Sequence, residues 1–305
     1  MVHPSISDIA SRRVVLIAAR VALVYEFPAR MPKGCSGATA APNEHDARDA
    51  CKVSAMCASK ATVCRLCVGL LAVLSSDTGI AERLSREQIA QRLMSTSADL
   101  SNLEAPGVDL SGLDFAGANL FGANLRGANL SRARLARCNL NSSILREARL
   151  ANADLREAKL FASVLADADL SHADLRGARL IGNFEGANLT GANLEGAQGG
   201  ADMRNQPMGL MRLVLTGARL TGARLRGADL SRADLSHADL READFSDVDL
   251  TRAKLIGADF SGATLTRATV SGAEIHDAIF TGAVDMATVK GMDSTEGSGT
   301  TTYQD

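Results

Sequence analysis

From Leu100 onward an apolar residue returns at every fifth position, and the residues between are small or polar. The stretch FAGANLFGANLRGANLSRARL, residues 115–135, carries Leu120, Leu125, Leu130 and Leu135 in this spacing. On an α-helix a step of five residues turns by about 140°, which would spread the leucines around the whole helix surface. On a strand Leu120 and Ala118 share one side and Asn119 takes the other. Five is odd, so a straight strand would send alternate leucines inward and outward. The chain must therefore turn a corner once per repeat, and Gly117, Gly122 and Gly127 stand where such corners need a permissive backbone. Equal bends every five residues make a coil that stacks on copies of itself. The pattern predicts an all-β solenoid whose neighbouring coils share one core.

Leucine or phenylalanine holds this register from Leu100 to Leu180, with position 105 the main lapse. Alanine stands two before it at Ala148, Ala153, Ala158, Ala168, Ala173 and Ala178, and Cys138, Ser143 and Ser163 are small enough for the same slot. After Leu180 the sequence IGNF brings Phe184 one residue early. The original phase returns at Leu215 and runs to Phe280, so one deletion is offset by one insertion. The motif A(D/N)LxG, seen in GANLR, GADLS and GANLT, resembles the pentapeptide-repeat family over nearly two thirds of the chain. The resemblance implies a right-handed quadrilateral β-helix with the central Leu or Phe and the preceding Ala inside. At four repeats per coil it implies about eight coils and a stack roughly 40 Å long.

The flanks predict other elements. Residues 1–55 show no periodicity. MCASKATVCRLCVGLLAVLSSDTGIA, residues 56–81, orders positive charge, a nine-residue apolar run from Leu66 to Leu74 and small residues as a secretory signal does. This reading makes Met56 the initiator, 1–55 an over-extended start, and the mature chain periplasmic or secreted with no membrane span. Without it the chain is cytoplasmic. In 82–97, Ser85 and Gln88 have capping-box spacing, and Ile89, Leu93 and Met94 share a face, which predicts a short helix over the first coil. Repeats fill 98–289 with an irregular segment at 195–214, and the polar 290–305 reads as a disordered tail.

Composition narrows the chemistry. Aromatics are 3% of the 305 residues and tryptophan is absent, so no stacking platform for bases exists. A net charge of −2 argues against a generic polyanion binder, and no direct nucleic-acid contact is expected. Five of the six cysteines precede the repeats, and CRLC at 64–67 has CxxC spacing but no second pair. Ser171, His172 and Asp174 suggest a triad, yet SHADL recurs at 236–240, so both are read as repeat positions. Met203, Met208 and Met211 offer thioethers to Cu(I), but Met203 and Met208 keep the repeat spacing and are read as packing. No catalytic, metal or cofactor residue is assigned.

Charge is unevenly placed. Arg126 to Arg179 holds ten basic and six acidic residues, whereas Arg226 to Leu250 holds Asp229, Asp234, Asp239, Glu242, Asp244, Asp247 and Asp249 against three arginines. These seven acids, with Arg204 and Met208 of the irregular segment, are the candidate partner-binding residues. The expected function is a non-enzymatic structural or protein-interaction scaffold for an unknown protein partner, any homodimer forming through a solenoid end. The family resemblance also implies an alternative, a DNA mimic that occupies DNA gyrase. Two features depart from it: the repeats as a whole are nearly neutral, and no aromatic-rich C-terminal segment follows them.

Overall fold

The computed structural model describes residues 83–94, 98–201 and 211–297. The predicted start and signal segments, CRLC included, lie outside the described residues, as do Met203, Arg204, Met208 and 298–305.

The first element, α1, spans Arg86–Leu93. Ser85 Oγ accepts the Gln88 N–H at 3.4 Å while Gln88 Oε1 accepts the Ser85 N–H at 2.7 Å, which satisfies two N-terminal amides reciprocally. Leu84 and Ile89 are buried in the same core as the coils. The Arg86 guanidinium donates to the carbonyls of Asp109 and Ser111, both at 2.8 Å, and so ties the helix to the first coil. Among the described residues no coil lies beneath it, and α1 covers apolar residues at that end.

Each coil then contributes one rung to each of four ladders of parallel bridges. The first ladder runs Asp99, Asn119, Asn139, Lys159, Arg179, Gln198, Asp229, Asp249, Thr269, Lys290. The second runs Glu104, Asn124, Ile144, Val164, Asn183, Val214, Asp234, Lys254, Glu274, Glu296. The third starts at Asp109 and the fourth at Asp114. Residues twenty apart are thus neighbours: Leu120 N–H donates to the Asn139 carbonyl at 2.8 Å, and Asn139 N–H donates to the Ala118 carbonyl at 3.0 Å. Rungs of the first ladder number ten, giving nine complete coils and the start of a tenth where eight were expected, about 43 Å at the usual strand spacing. The ninth coil is complete at Val284, within the repeats, and 290–297 begins the tenth. This stretch, predicted as disordered tail, instead carries Lys290 and Glu296 into the ladders, with the 3-10 turn Met286–Thr288 before Lys290 and Met292–Ser294 between the two.

Burial explains the five-residue code. The Leu or Phe and the Ala two before it are buried at nearly every repeat, and the lapse at Ala105 is itself fully buried. The small polar substitutes are satisfied: Ser143 Oγ donates to the Leu140 carbonyl at 2.6 Å and Ser163 Oγ to that of Leu160 at 2.8 Å. Cys138 Sγ donates to the Phe115 carbonyl at 2.7 Å, and burial pushes its thiol up to about 12, which leaves it inert. Asp or Asn recurs before the Leu for a reason the code alone does not state. Its Oδ1 accepts the N–H two residues on, as Asp109 does from Ser111 at 3.1 Å. An Asn also donates down the stack, Asn139 Nδ2 to Asn119 Oδ1 and Asn119 Nδ2 to Asp99 Oδ1, each at 2.9 Å.

At each corner the N–H of the Ala slot closes a turn, as Leu103 does on Leu100 at 3.1 Å, and the residue before it has positive φ. Many of these positions are not glycine. Where the residue is large, the next coil makes room: a methyl on Gly191 would come within 2.6 Å of His172 Nδ1.

The corner between the first and second ladders is different. Two strands cross it, β1 (Lys159–Val164) and β2 (Arg179–Asn183), paired in parallel with a bulge at Phe161/Ser163. The bulge absorbs the early Phe184, since Asn183 follows Arg179 by four residues where five are usual. Gly182 sits against the Ser163 carbonyl so closely that no Cβ fits. One coil later the same corner takes sixteen residues, from Gln198 to Val214. The predicted irregular segment 195–214 is narrower here: Gly199 N–H donates to the Asp229 carbonyl at 2.7 Å and Ala201 N–H to that of Ser231 at 3.3 Å, so the coil is kept through Ala201.

Candidate interaction surface

The seven acids close in sequence do not form one patch. Asp229 and Asp249 stand on the first ladder, Asp234 on the second, Asp239 on the third and Asp244 on the fourth, while Glu242 and Asp247 occupy corners with positive φ. A step of five residues moves a quarter of the way around the coil, so they ring the stack. Several are already engaged. Asp239 accepts a bidentate pair from Arg241, Nε at 2.8 Å and Nη2 at 2.7 Å, and those bonds with one from Thr221 hold its carboxyl down to about 2. Asp247 is gripped by Arg267 at 2.7 and 2.6 Å, which lowers its carboxyl as well. Asp229, Asp234, Asp244 and Asp249 each accept the N–H two residues on, at 2.8–3.2 Å.

The same pairing recurs lower in the stack. Arg156 holds Asp154 and Arg176 holds Asp174, both lowering the carboxyl they grip, and Arg134 reaches Asp114 at 2.8 Å. Asp174 is thereby committed to Arg176, and His172 lies over Gly191, so the triad suggested by Ser171, His172 and Asp174 has no shared geometry. A shallow groove lined by Arg134, Arg137, Asp154, Arg156 and Glu157 opens on this side. Within it Arg137 pairs with Glu157 and Arg156 with Asp154, and Arg134 pairs with Asp114 beside it. Among the described residues no three His, Cys, Asp or Glu side chains gather as a metal site.

Sequence reasoning missed an apolar surface. Phe121, at the corner between the first and second ladders, is 45% exposed, and Ile144, on the second ladder one coil later, is 43% exposed. Val164 is the next rung above Ile144, and Phe161 lies partly buried at the corner beside it with the Arg179 guanidinium 5.8 Å over its ring. Val214 is the rung above Asn183, and Met211, 39% exposed, leads into it. The signal was present: Ile144, Val164 and Val214 are apolar residues in a slot that is otherwise polar or charged on every described rung except Ile279 and Val284, near the other end of the stack.

The Pentapeptide repeats family model matches in eight copies, over 96–132, 133–160, 143–182, 158–198, 210–247 and 243–282. This chain belongs to the pentapeptide-repeat family. Among solved structures it is similar to HetL of the cyanobacterium Nostoc sp. strain PCC 7120, a pentapeptide-repeat protein involved in heterocyst differentiation regulation. The two are 31% identical over 68% of this chain and 94% of HetL, with a TM-score of 0.40. Full-length QnrB1, a plasmid-mediated fluoroquinolone resistance protein, is 17% identical over 68% of this chain and 94% of its own, with a TM-score of 0.27. Rfr23 of the cyanobacterium Cyanothece 51142 is 26% identical over 39% of this chain and 90% of its own, with a TM-score of 0.21. No curated protein matched.

Proposed function

We propose that this pentapeptide-repeat solenoid, wound as a right-handed quadrilateral β-helix, is a non-enzymatic scaffold that presents a rigid surface to a protein partner. The apolar run from the exposed Phe121 and Ile144 to the half-buried Val164, continued beyond Asn183 by the half-buried Val214 and the exposed Met211, carries the proposal. Apolar side chains at outward slots add nothing to the core, and a contiguous apolar patch rimmed by polar residues is the mark of a protein-binding surface. The backbone behind it is fixed by ladder bonds to the coils on either side, so binding orders little of the scaffold. Export through 56–81 would place that partner in the periplasm or outside the cell.

Gyrase protection through the acidic coil draws less support, because its carboxylates face four directions and Asp239 and Asp247 are held by arginines. The test compares partner capture by the native chain, by Phe121→Ser with Ile144→Ser, and by Asp229, Asp234, Asp244 and Asp249 all changed to Asn. Each variant's folding is checked by circular dichroism. A partner lost with the apolar pair and kept with the four Asn changes supports this reading. Capture that follows the acids, with protection of gyrase in a supercoiling assay, overturns it.

A further inference from the structure

The first ladder sorts its charges in a way the other three do not. Reading up the stack, Lys159 and Arg179 occupy adjacent rungs, Gln198 follows, and Asp229 and Asp249 occupy the next two. On the fourth ladder, by contrast, Asp114 and Arg134 pair within 2.8 Å, and Asp154 and Asp174 carry their own arginines. Stacking like charges on neighbouring rungs opposes pairing. The first ladder does it twice, with opposite signs, at equal distances on either side of one neutral residue. Lys159, Asp229 and Asp249 form no ion pair with a described residue, whereas the carboxylates of the third and fourth ladders largely do. Lys159, Arg179, Gln198 and Asp229 are exposed, and Asp249 is half-buried.

We propose that this face binds a second copy of the chain, antiparallel, about a two-fold axis that runs along the strand direction at Gln198. Such an axis reverses the order of rungs. It sets Arg179 of one protomer opposite Asp229 of its partner and Lys159 opposite Asp249, each contact occurring twice by symmetry. Outward from these, Asn139 meets Thr269 and Asn119 meets Lys290, with no like charges opposed. A parallel arrangement would place Lys159 on Lys159 and Asp229 on Asp229, which electrostatics rejects. At the adjoining corner Arg176 would face Arg226, but Asp174 already neutralises Arg176 at 2.7 Å. The contact therefore uses a face of the solenoid, not its end.

The area sets the strength. A face about 40 Å tall and one short strand segment, about 10 Å, wide buries on the order of 800 Å² over two copies, below the usual size for a stable complex. The dimer is therefore weak, and charge supplies most of its specificity. Raising ionic strength from about 0.01 M to about 0.5 M shrinks the Debye length from ~30 Å to ~4 Å and should dissolve it.

The experiment uses the full chain in sedimentation equilibrium at both salt levels. Two double variants are made: Lys159→Glu with Arg179→Glu, whose face is all acidic, and Asp229→Lys with Asp249→Lys, whose face is all basic. Circular dichroism and melting confirm that both fold, and milder versions, Lys159→Gln with Arg179→Gln and Asp229→Asn with Asp249→Asn, replace either that does not. The native chain should dimerise at low salt and lose at least tenfold in affinity at high salt. Each charge-reversed variant alone should be monomeric at low salt, and a one-to-one mixture of the two should regain the dimer. With the milder versions, loss of self-association at low salt is the expected result. A native chain that stays monomeric at low salt overturns the proposal. So does a variant that dimerises as well as the native chain, or a mixture of charge-reversed variants that does not associate.

Discussion

Gly182→Ala tests the reading of the register slip most directly. At Gly182 the backbone is not in the left-handed region, so the left-handed penalty does not apply to an alanine there. Its methyl would instead overlap the Ser163 carbonyl oxygen and come within 3.1 Å of the Ser163 nitrogen and 3.2 Å of its carbonyl carbon. All three are backbone atoms that cannot rotate away. Relief requires β1 and β2 to separate, and the Gly182 carbonyl also accepts the Val214 N–H at 2.9 Å from the coil above. Losing one or two such bonds at about 1 kcal/mol each, with a buried group left unsatisfied at about 1–3 kcal/mol, gives about 2–4 kcal/mol of destabilisation. Gly127→Ala is the control. There φ is 63° and no atom lies within 4 Å of the added methyl, so only the left-handed backbone is disfavoured, at about 1–2 kcal/mol. Urea unfolding followed by far-ultraviolet circular dichroism ranks the two by midpoint at constant slope. A midpoint for Gly182→Ala at or above that of Gly127→Ala would refute the close approach, and with it the bulge that accounts for the early Phe184.

Leu150 is 1% exposed in the middle of the stack, so Leu150→Ala should cost about 2–5 kcal/mol and Leu150→Arg should abolish cooperative unfolding, read by the same urea titration. Acid should weaken the stack through its arginine-held carboxylates, Asp154, Asp174, Asp239 and Asp247, all lowered from the ordinary range. Groups lowered on folding add stability that is present above pH about 4 and is lost as pH falls, for Asp239 toward about 2. The melting temperatures of the native chain and Asp239→Asn should therefore converge between pH 4 and pH 2; a gap that stays constant over that window would show that Asp239 gains nothing from Arg241.

Much of the fold was legible because one buried Leu and one buried Ala per five residues leave no other regular chain path, and even the slip at Phe184 could be seen in the spacing. The start of a tenth coil was not. Between Thr269 and Lys290 the step is 21 residues, and between Glu274 and Glu296 it is 22, because 3-10 turns lengthen the corners there and erase the period of five. The acidic cluster misled for a different reason. Residues close in sequence lie around the coil, and only residues about twenty apart meet, so Asp229 has Asp249 for a neighbour while Asp234 faces another way. The exposed apolar run could have been found by asking which residue fills the slot before each Leu. Ile144 and Val164 answer that question at a spacing of twenty.

The deletion, the bulge and the long insertion all fall at the corner between the first and second ladders, and this has a physical reason. A change in length inside a ladder would shift every later side chain between core and surface, since strand neighbours alternate sides. At a corner the change can be absorbed if the chain leaves and returns at the same rungs. Ala201 occupies the last turn position before the Ala slot, shown by its N–H on the Ser231 carbonyl, and Leu213 fills that slot immediately before Val214. Eleven residues, 202–212, thus stand between two positions that adjoin in every ordinary repeat. Excising them should restore a five-residue step from Gln198 to Val214 and leave the bridges Gln198 to Asp229 and Val214 to Asp234 in place. The shortened chain should unfold in urea within about 1–2 kcal/mol of the native one, the uncertainty being the left-handed turn now required of Ala201, which Ala201→Gly would relieve. Loss of cooperative unfolding in the excised chain, with or without that glycine, would mean that the segment holds the coils together and is not carried by them.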